Sequence, residues 1–196
     1  MPPASKVQPQ TIIAGKYRLI GQIGKGGMAA AYLATYMHSS GIIKLVALKC
    51  LHPHLMNEPD FAPMFLAEAQ LSMRLEHPNV VQTHDVGVDE NYFIVMEFIQ
   101  GQAQSAIRSR SVNKSSDLKL HTVPLNHQLH ILMEVLSGLA YAHALVELDG
   151  TTTHLVHRDV SPQNVMVGYD GRVKLLDFGI AKALDQSGQT RTGIIK

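Results

Sequence analysis

Apolar and polar residues alternate from Tyr17 onward in three short runs, Tyr17–Ile23, Ala30–Tyr36 and Ile42–Lys49, and this period of two predicts three strands. His38-Ser39-Ser40-Gly41 supplies the turn between the second and the third. Over Glu58 to Leu75 the period lengthens. Phe61, Phe65, Leu71 and Leu75 recur at mostly helical spacing until His77-Pro78-Asn79 stops the helix. Alternation returns in Val80–Val88 and Tyr92–Ile99, a strand pair joined across Asp89-Glu90-Asn91. Residues 101–123 break the pattern with Ser, Arg, Lys and Gln, which reads as a hinge, a weak helix and an exposed loop. Pro124 then opens a long helix. Its Leu125, Leu129, Leu132, Leu136, Leu139 and His143 recur every three or four residues, a stripe that must be buried. After an Asp149-Gly150 turn, Val165–Val167 and Val173–Leu176 form a hairpin across Tyr169-Asp170-Gly171.

Composition narrows the setting. The 196 residues suit one domain or two small lobes sharing a cleft. Charged residues make up only 17% and apolar ones 45%, drier than the roughly 25% charged of an ordinary soluble domain. Net charge is +1, with no basic or acidic block of the kind that meets nucleic acid or an anionic membrane. Cys50 is the single cysteine, so no intramolecular disulfide can form, and a reducing cytoplasm fits. Residues 1–11 read as a disordered leader without the apolar stretch of a signal peptide, and no run approaches a membrane span.

Four strings carry chemistry. Gly24-Lys25-Gly26-Gly27 sits between the first two strands, where backbone N–H groups unobstructed by side chains can lie over phosphates; taken alone it reads equally as a tight surface turn. Val46-Ala47-Leu48-Lys49 places an ammonium at the end of an apolar strand. Buried there, Lys49 needs an anionic partner, and Glu68 in the following helix is the candidate; the alternative is two solvated charges. His157-Arg158-Asp159-Val160-Ser161-Pro162-Gln163-Asn164 and then Asp177-Phe178-Gly179 supply a proton acceptor and two hard oxygen ligands for a cation. The histidine pairs His52/His54 and His127/His130 are framed by no cysteine pair or matching carboxylate and read as solvated or satisfied rather than zinc-binding.

In this order the strings resemble the catalytic domain of bacterial eukaryotic-like Ser/Thr protein kinases, from Tyr17 to Lys196. The resemblance implies an α+β, two-lobe fold. Residues 12–99 would form an antiparallel-sheet lobe with one main helix, and residues 100–196 an incomplete, mostly helical lobe. It implies transfer of the ATP γ-phosphate to a protein hydroxyl, with Asp159 as base, Asn164 and Asp177 holding Mg²⁺, and Lys49 paired with Glu68 on the phosphates. Ile23, Gly24, Lys25, Gly26, Gly27, Ala31 and Lys49 would enclose the nucleotide; adenine would lie against the Glu97–Ile99 backbone, with Met96 as gatekeeper. Arg158 would hold a phosphate on Thr190 or Thr192. The implied partners are ATP, a protein substrate and a second kinase copy.

Departures from the family pattern are Ala29 and Ala31 in the glycine loop, Ser161 where most Ser/Thr kinases carry Lys, and no Ala-Pro-Glu string before Lys196. The chain therefore reads as a fragment cut within the activation segment, with low stability and little transfer activity by itself. A nucleotide-binding pseudokinase or interaction module is the alternative, and a small-molecule kinase a third reading. The set Lys49, Glu68, Asp159, Asn164 and Asp177 favours catalysis.

Overall fold

The early alternation folds as one antiparallel sheet. Its strands are β1 (Ile12–Ile13), β2 (Tyr17–Lys25), β3 (Ala29–Met37), β4 (Ile43–Leu51), β5 (Thr83–Val88) and β6 (Tyr92–Glu97), in the order β1-β2-β3-β4-β6-β5. This computed structural model describes residues 11–113, 123–146, 150 and 155–178, with backbone alone for 111–113. The predicted turn at 38–41 forms: the Gly41 amide donates to the His38 carbonyl at 2.9 Å, and Gly41 takes φ +82°, a region costly for any residue with a Cβ. Two compact units emerge, Met1–Arg74 with Gln82–Phe98, and Leu75–Val81 with Ile99–Lys196. No helix among the described residues is long and apolar enough to cross a membrane.

In the first unit the period of two separates two apolar layers. Tyr17, Leu19, Ala34, Val46, Leu48, Cys50, Phe93 and Val95 cluster on one face of the sheet. The opposite face contributes Ala29, Leu51 and Ile94, which pack with Phe65 and Ala69 of helix α1 (Phe61–Ser72). This helix is shorter than the predicted Glu58–Leu75. Its buried face is Met64, Phe65, Glu68 and Ala69, while Leu75 is buried outside the helix, in the second unit. The sheet curls enough for both flanks to meet. Lys16 Nζ and Tyr17 OH donate to Asp85 Oδ2 of β5 at 2.8 and 2.7 Å, and the Ala14 amide donates to Asp89 at 2.7 Å. Burial, then the hydrogen bond to Asp85, pushes the Tyr17 phenol up to about 12, so it remains a donor.

The predicted strand starting at Val80 begins only at Thr83. Val80 instead bridges Leu175 in parallel, and the Val81 amide donates to the Leu175 carbonyl at 2.9 Å. Both belong to the second unit, whose sheet is β7 (Gly101–Ala103), β8 (Val165–Gly168) and β9 (Val173–Leu175), antiparallel in that order. Strand β7 lies where the sequence reads as hinge and loop. Three half-buried residues carry no periodic signal, yet the close approach is specific, since a Cβ at Gly101 would stand 2.2 Å from the Val167 carbonyl oxygen. Helix α2 (Gln104–Asn113) follows, in agreement with the weak helix expected there.

Helix α3 (Leu125–His143), with Pro124 at its N-cap, corrects the predicted burial. Leu125, Leu129, Leu132 and Leu136 are exposed at 49–69%, His143 is exposed and Leu139 only half buried. The face that packs against Val165, Val173 and Leu175 is Ile131, Val135, Gly138 and Ala142. Two apolar faces share one helix, and shape chooses between them. Gly138 admits the Asn79 carbonyl, which an added Cβ would meet at 2.9 Å, and the side chains flanking it on the buried face are β-branched or small. Asn79 is buried and donates from Nδ2 to the Glu134 carboxylate and to the Val173 carbonyl at 3.0 Å, so α3, the 75–81 segment and β9 share one polar node. Among the described residues nothing covers the leucine face.

Candidate active site

Strand register assembles the first unit's share of the candidate residues. Gly24 lies opposite Ala31 and Ala31 opposite Lys49; in the neighbouring row Leu33 lies opposite Ala47 and Ala47 opposite Met96. Ala31 and Ala47 present only methyl groups there, which leaves a shallow floor beside Lys49. Ile23, with 51% of its surface exposed, falls at the register shift of β2 between Gln22 and Gly24, and Lys25, Gly26 and Gly27 are exposed at the loop. Lys49 forms an ion pair with Glu68 of α1; their side chains are 17% and 9% exposed. The pair is thus a buried one, in which each charge offsets the desolvation of the other, and the solvated alternative does not apply. The Glu97 amide donates to the Gln82 carbonyl at 2.9 Å, and its carboxylate accepts from the Gln82 amide at 2.8 Å, which fixes the end of β6. Ile99 belongs to the second unit.

In that unit, residues 157–164 form a self-bonded loop. Asn164 Nδ2 donates to Asp159 twice, to its carbonyl at 3.0 Å and to Oδ2 at 2.9 Å. With the amide nitrogen committed, the Asn164 Oδ1 is the atom left to face a cation, which fits a hard ion such as Mg²⁺. The Asn164 carbonyl accepts from the Leu176 amide at 2.9 Å, tying the loop to the residue before Asp177. Asp177 takes φ +44° and Arg158, exposed, φ +61°; strain of this kind collects at working sites. No cluster of three or more His, Cys, Asp or Glu among the described residues could hold a metal by itself. A cation that keeps waters and leans on substrate phosphates needs no such cluster. Gly179, Thr190 and Thr192 lie outside the described residues.

Sequence reading missed the role of His157. Its side chain is buried, its Nε2 donates to the Leu176 carbonyl at 2.9 Å, and its Nδ1 accepts from the Asp159 amide at 3.3 Å, an assignment that uses one neutral tautomer. Its ring packs on Phe178 with centroids 4.6 Å apart. The only sequence signal was its place beside Asp159. Burial holds the imidazole below its ordinary 6.5, outweighing the Leu176 carbonyl that favours the cation. Above that pH both folded and unfolded states are neutral here. Below it the unfolded chain takes a proton that the folded one refuses, so stability is lost as pH falls from about 6.5 toward the depressed folded value. Thermal melts between about pH 8 and about pH 5 should show this decline, and the slope should shrink in His157→Phe.

Comparison with known proteins follows the same lines. The protein kinase domain family matches residues 17–195. The tyrosine-protein kinase MasK of Myxococcus xanthus is 40% identical over 93% of this chain, and the serine/threonine-protein kinase PrkC of Bacillus subtilis 33% identical over 93%. The chain spans 28% and 25% of those relatives. The crystal structure of the Mycobacterium tuberculosis PknI kinase domain superposes with a TM-score of 0.65 at 29% identity, covering 89% of this chain and 64% of that one. With a family match running nearly end to end and relatives named as bacterial kinases, the chain belongs to the protein kinase family.

Proposed function

We propose that the chain carries the nucleotide-binding and catalytic residues of a Mg²⁺-dependent protein kinase that transfers the ATP γ-phosphate to a Ser or Thr hydroxyl. The observation that carries this is the Asp159–Asn164 arrangement: one amide nitrogen donates to both the carboxylate and the carbonyl of Asp159, so the Asn164 oxygen is the atom of that side chain left to ligate a cation. In this reading Asp159 accepts the hydroxyl proton, and Asn164 and Asp177 would hold Mg²⁺, which neutralises charge on the phosphates when bound. Lys49, kept in place by Glu68, would hold phosphate oxygens. The backbone of Gly24–Gly27 would cover them, and the Ala31–Ala47–Met96 floor would take the base with the Glu97–Ile99 backbone. Arg158 would receive a phosphorylated Thr190 or Thr192. The implied partners are ATP and a protein substrate in a cytoplasmic setting, with a second kinase copy as a further partner and no nucleic acid. For the chain alone, the exposed leucine face of α3 argues for low stability and weak transfer.

A second reading, tyrosine phosphorylation, is favoured by Ser161 standing in the catalytic loop and by the 40% identity to a relative named a tyrosine kinase. Radiolabelled ATP transfer by the protein at its full natural length, followed by phosphoamino-acid analysis, decides between them. Label on Ser or Thr that vanishes with EDTA is expected. Label on Tyr moves the assignment to the second reading, and absence of label points to a pseudokinase.

A further inference from the structure

We propose that His52 is a positioning residue for the glycine-rich loop, acting through the Gly26 carbonyl; this rests on the reading that the loop covers ATP phosphates. His52 follows the last residue of β4, the strand that carries Lys49. Its Nε2 lies 2.9 Å from the Gly26 carbonyl oxygen, a contact across 26 residues, and its amide donates to the Met28 carbonyl at 2.8 Å. A carbonyl only accepts, so Nε2 carries the proton. One residue thus grips two loop carbonyls, while the Gly26 amide closes the turn on the Ala29 carbonyl at 2.8 Å.

The consequence follows from peptide geometry. In a planar trans peptide the carbonyl of one residue and the N–H of the next point in opposite directions. Holding the Gly26 carbonyl therefore sets the direction of the Gly27 N–H, a donor of the kind that phosphate oxygens take from glycine-rich loops. A Cβ added at Gly27 would meet nothing within 4 Å, so packing inside the protein does not demand glycine there, whereas close approach by a ligand would. The His52 ring is itself steadied. It stacks on His54 with centroids 5.6 Å apart and planes at 16°, and Pro53 restrains the backbone at the start of the short turn Pro53–Leu55. Ala29, at the far end of the loop, is buried with Leu51 and Phe65. His52 thus spans the stretch from Gly26 to Met28, between the β2 end of the loop and buried Ala29.

The test compares His52→Ala with His52→Gln, which retains an N–H donor; the backbone bond to Met28 survives in both. His52→Ala should speed amide hydrogen exchange at residues 26–28 about fivefold, the worth of one neutral hydrogen bond, and leave β3 and β6 unchanged. In the protein at natural length it should raise KM for ATP about fivefold with kcat nearly unchanged, and His52→Gln should restore much of both. Unchanged exchange in His52→Ala overturns the proposal, as does faster exchange with an unaltered KM in an active enzyme, or failure of His52→Gln to recover either. Faster exchange confined to the loop of a protein that shows no phosphotransfer supports the latch and sinks the kinase reading instead.

Discussion

If Asp159 is the base, Asp159→Asn should lower phosphotransfer by about 100- to 10,000-fold, the range spanned by a positioned general base, and should leave the melting temperature nearly unchanged. The two effects separate because of the hydrogen bonds the loop makes. Asn keeps a side-chain oxygen to accept from Asn164 Nδ2 at the 2.9 Å position, and the second bond from that amide goes to the Asp159 backbone, which the substitution does not touch. What disappears is the atom that can take a proton. Autophosphorylation and thermal melts on the protein at natural length check this. Undiminished transfer in Asp159→Asn removes the assigned base, and a collapse in stability makes the residue structural first.

Breaking the Lys49–Glu68 pair has the largest expected effect on stability. Glu68→Ala leaves an ammonium that is only 17% exposed without its carboxylate, at a cost of about 3–5 kcal/mol. Lys49→Met removes the ammonium paired with the Glu68 carboxylate, itself 9% exposed, and should also destabilise. The double variant Lys49→Met/Glu68→Leu replaces the pair with apolar side chains of similar reach, and most of the lost stability should return, because no buried charge is left uncompensated. Nucleotide affinity and transfer should not return with it. Denaturant midpoints together with ATP binding on the single and double variants read the two outcomes separately. Recovery of transfer in the double variant would show that the pair only holds the fold.

The candidate chemistry could be proposed from the sequence because each step the family resemblance implies needs a particular residue type at a short spacing. Asp159 and Asn164 lie in one loop, and the bonds between them are local. Strands β2 to β4 were legible for the same kind of reason, since alternation is a local pattern that burial of one face enforces. Helix α1 was placed correctly but trimmed at both ends. The exposed leucines of α3 show the limit. Periodicity marks a face as apolar without saying which of two apolar faces meets a partner, and the narrower Ile131–Val135–Gly138–Ala142 face took the hairpin.

His52 and His157 make the same point from the other side. Each has an ordinary histidine's signal in the sequence, and each acquires its part from a carbonyl far along the chain, Gly26 in one case and Leu176 in the other. By itself the sequence determined the order of the motifs, the residue types able to accept a proton, hold a cation or carry an ammonium, and the strands and helices that present them. Only the tertiary structure decided that Lys49 is buried against Glu68, which α3 face is covered, that Val80 pairs with Leu175, and which carbonyls the two histidines hold. The division has one physical cause. Propensity and spacing act over a few residues, whereas burial and hydrogen-bond partnership depend on which distant surfaces the folded chain brings together.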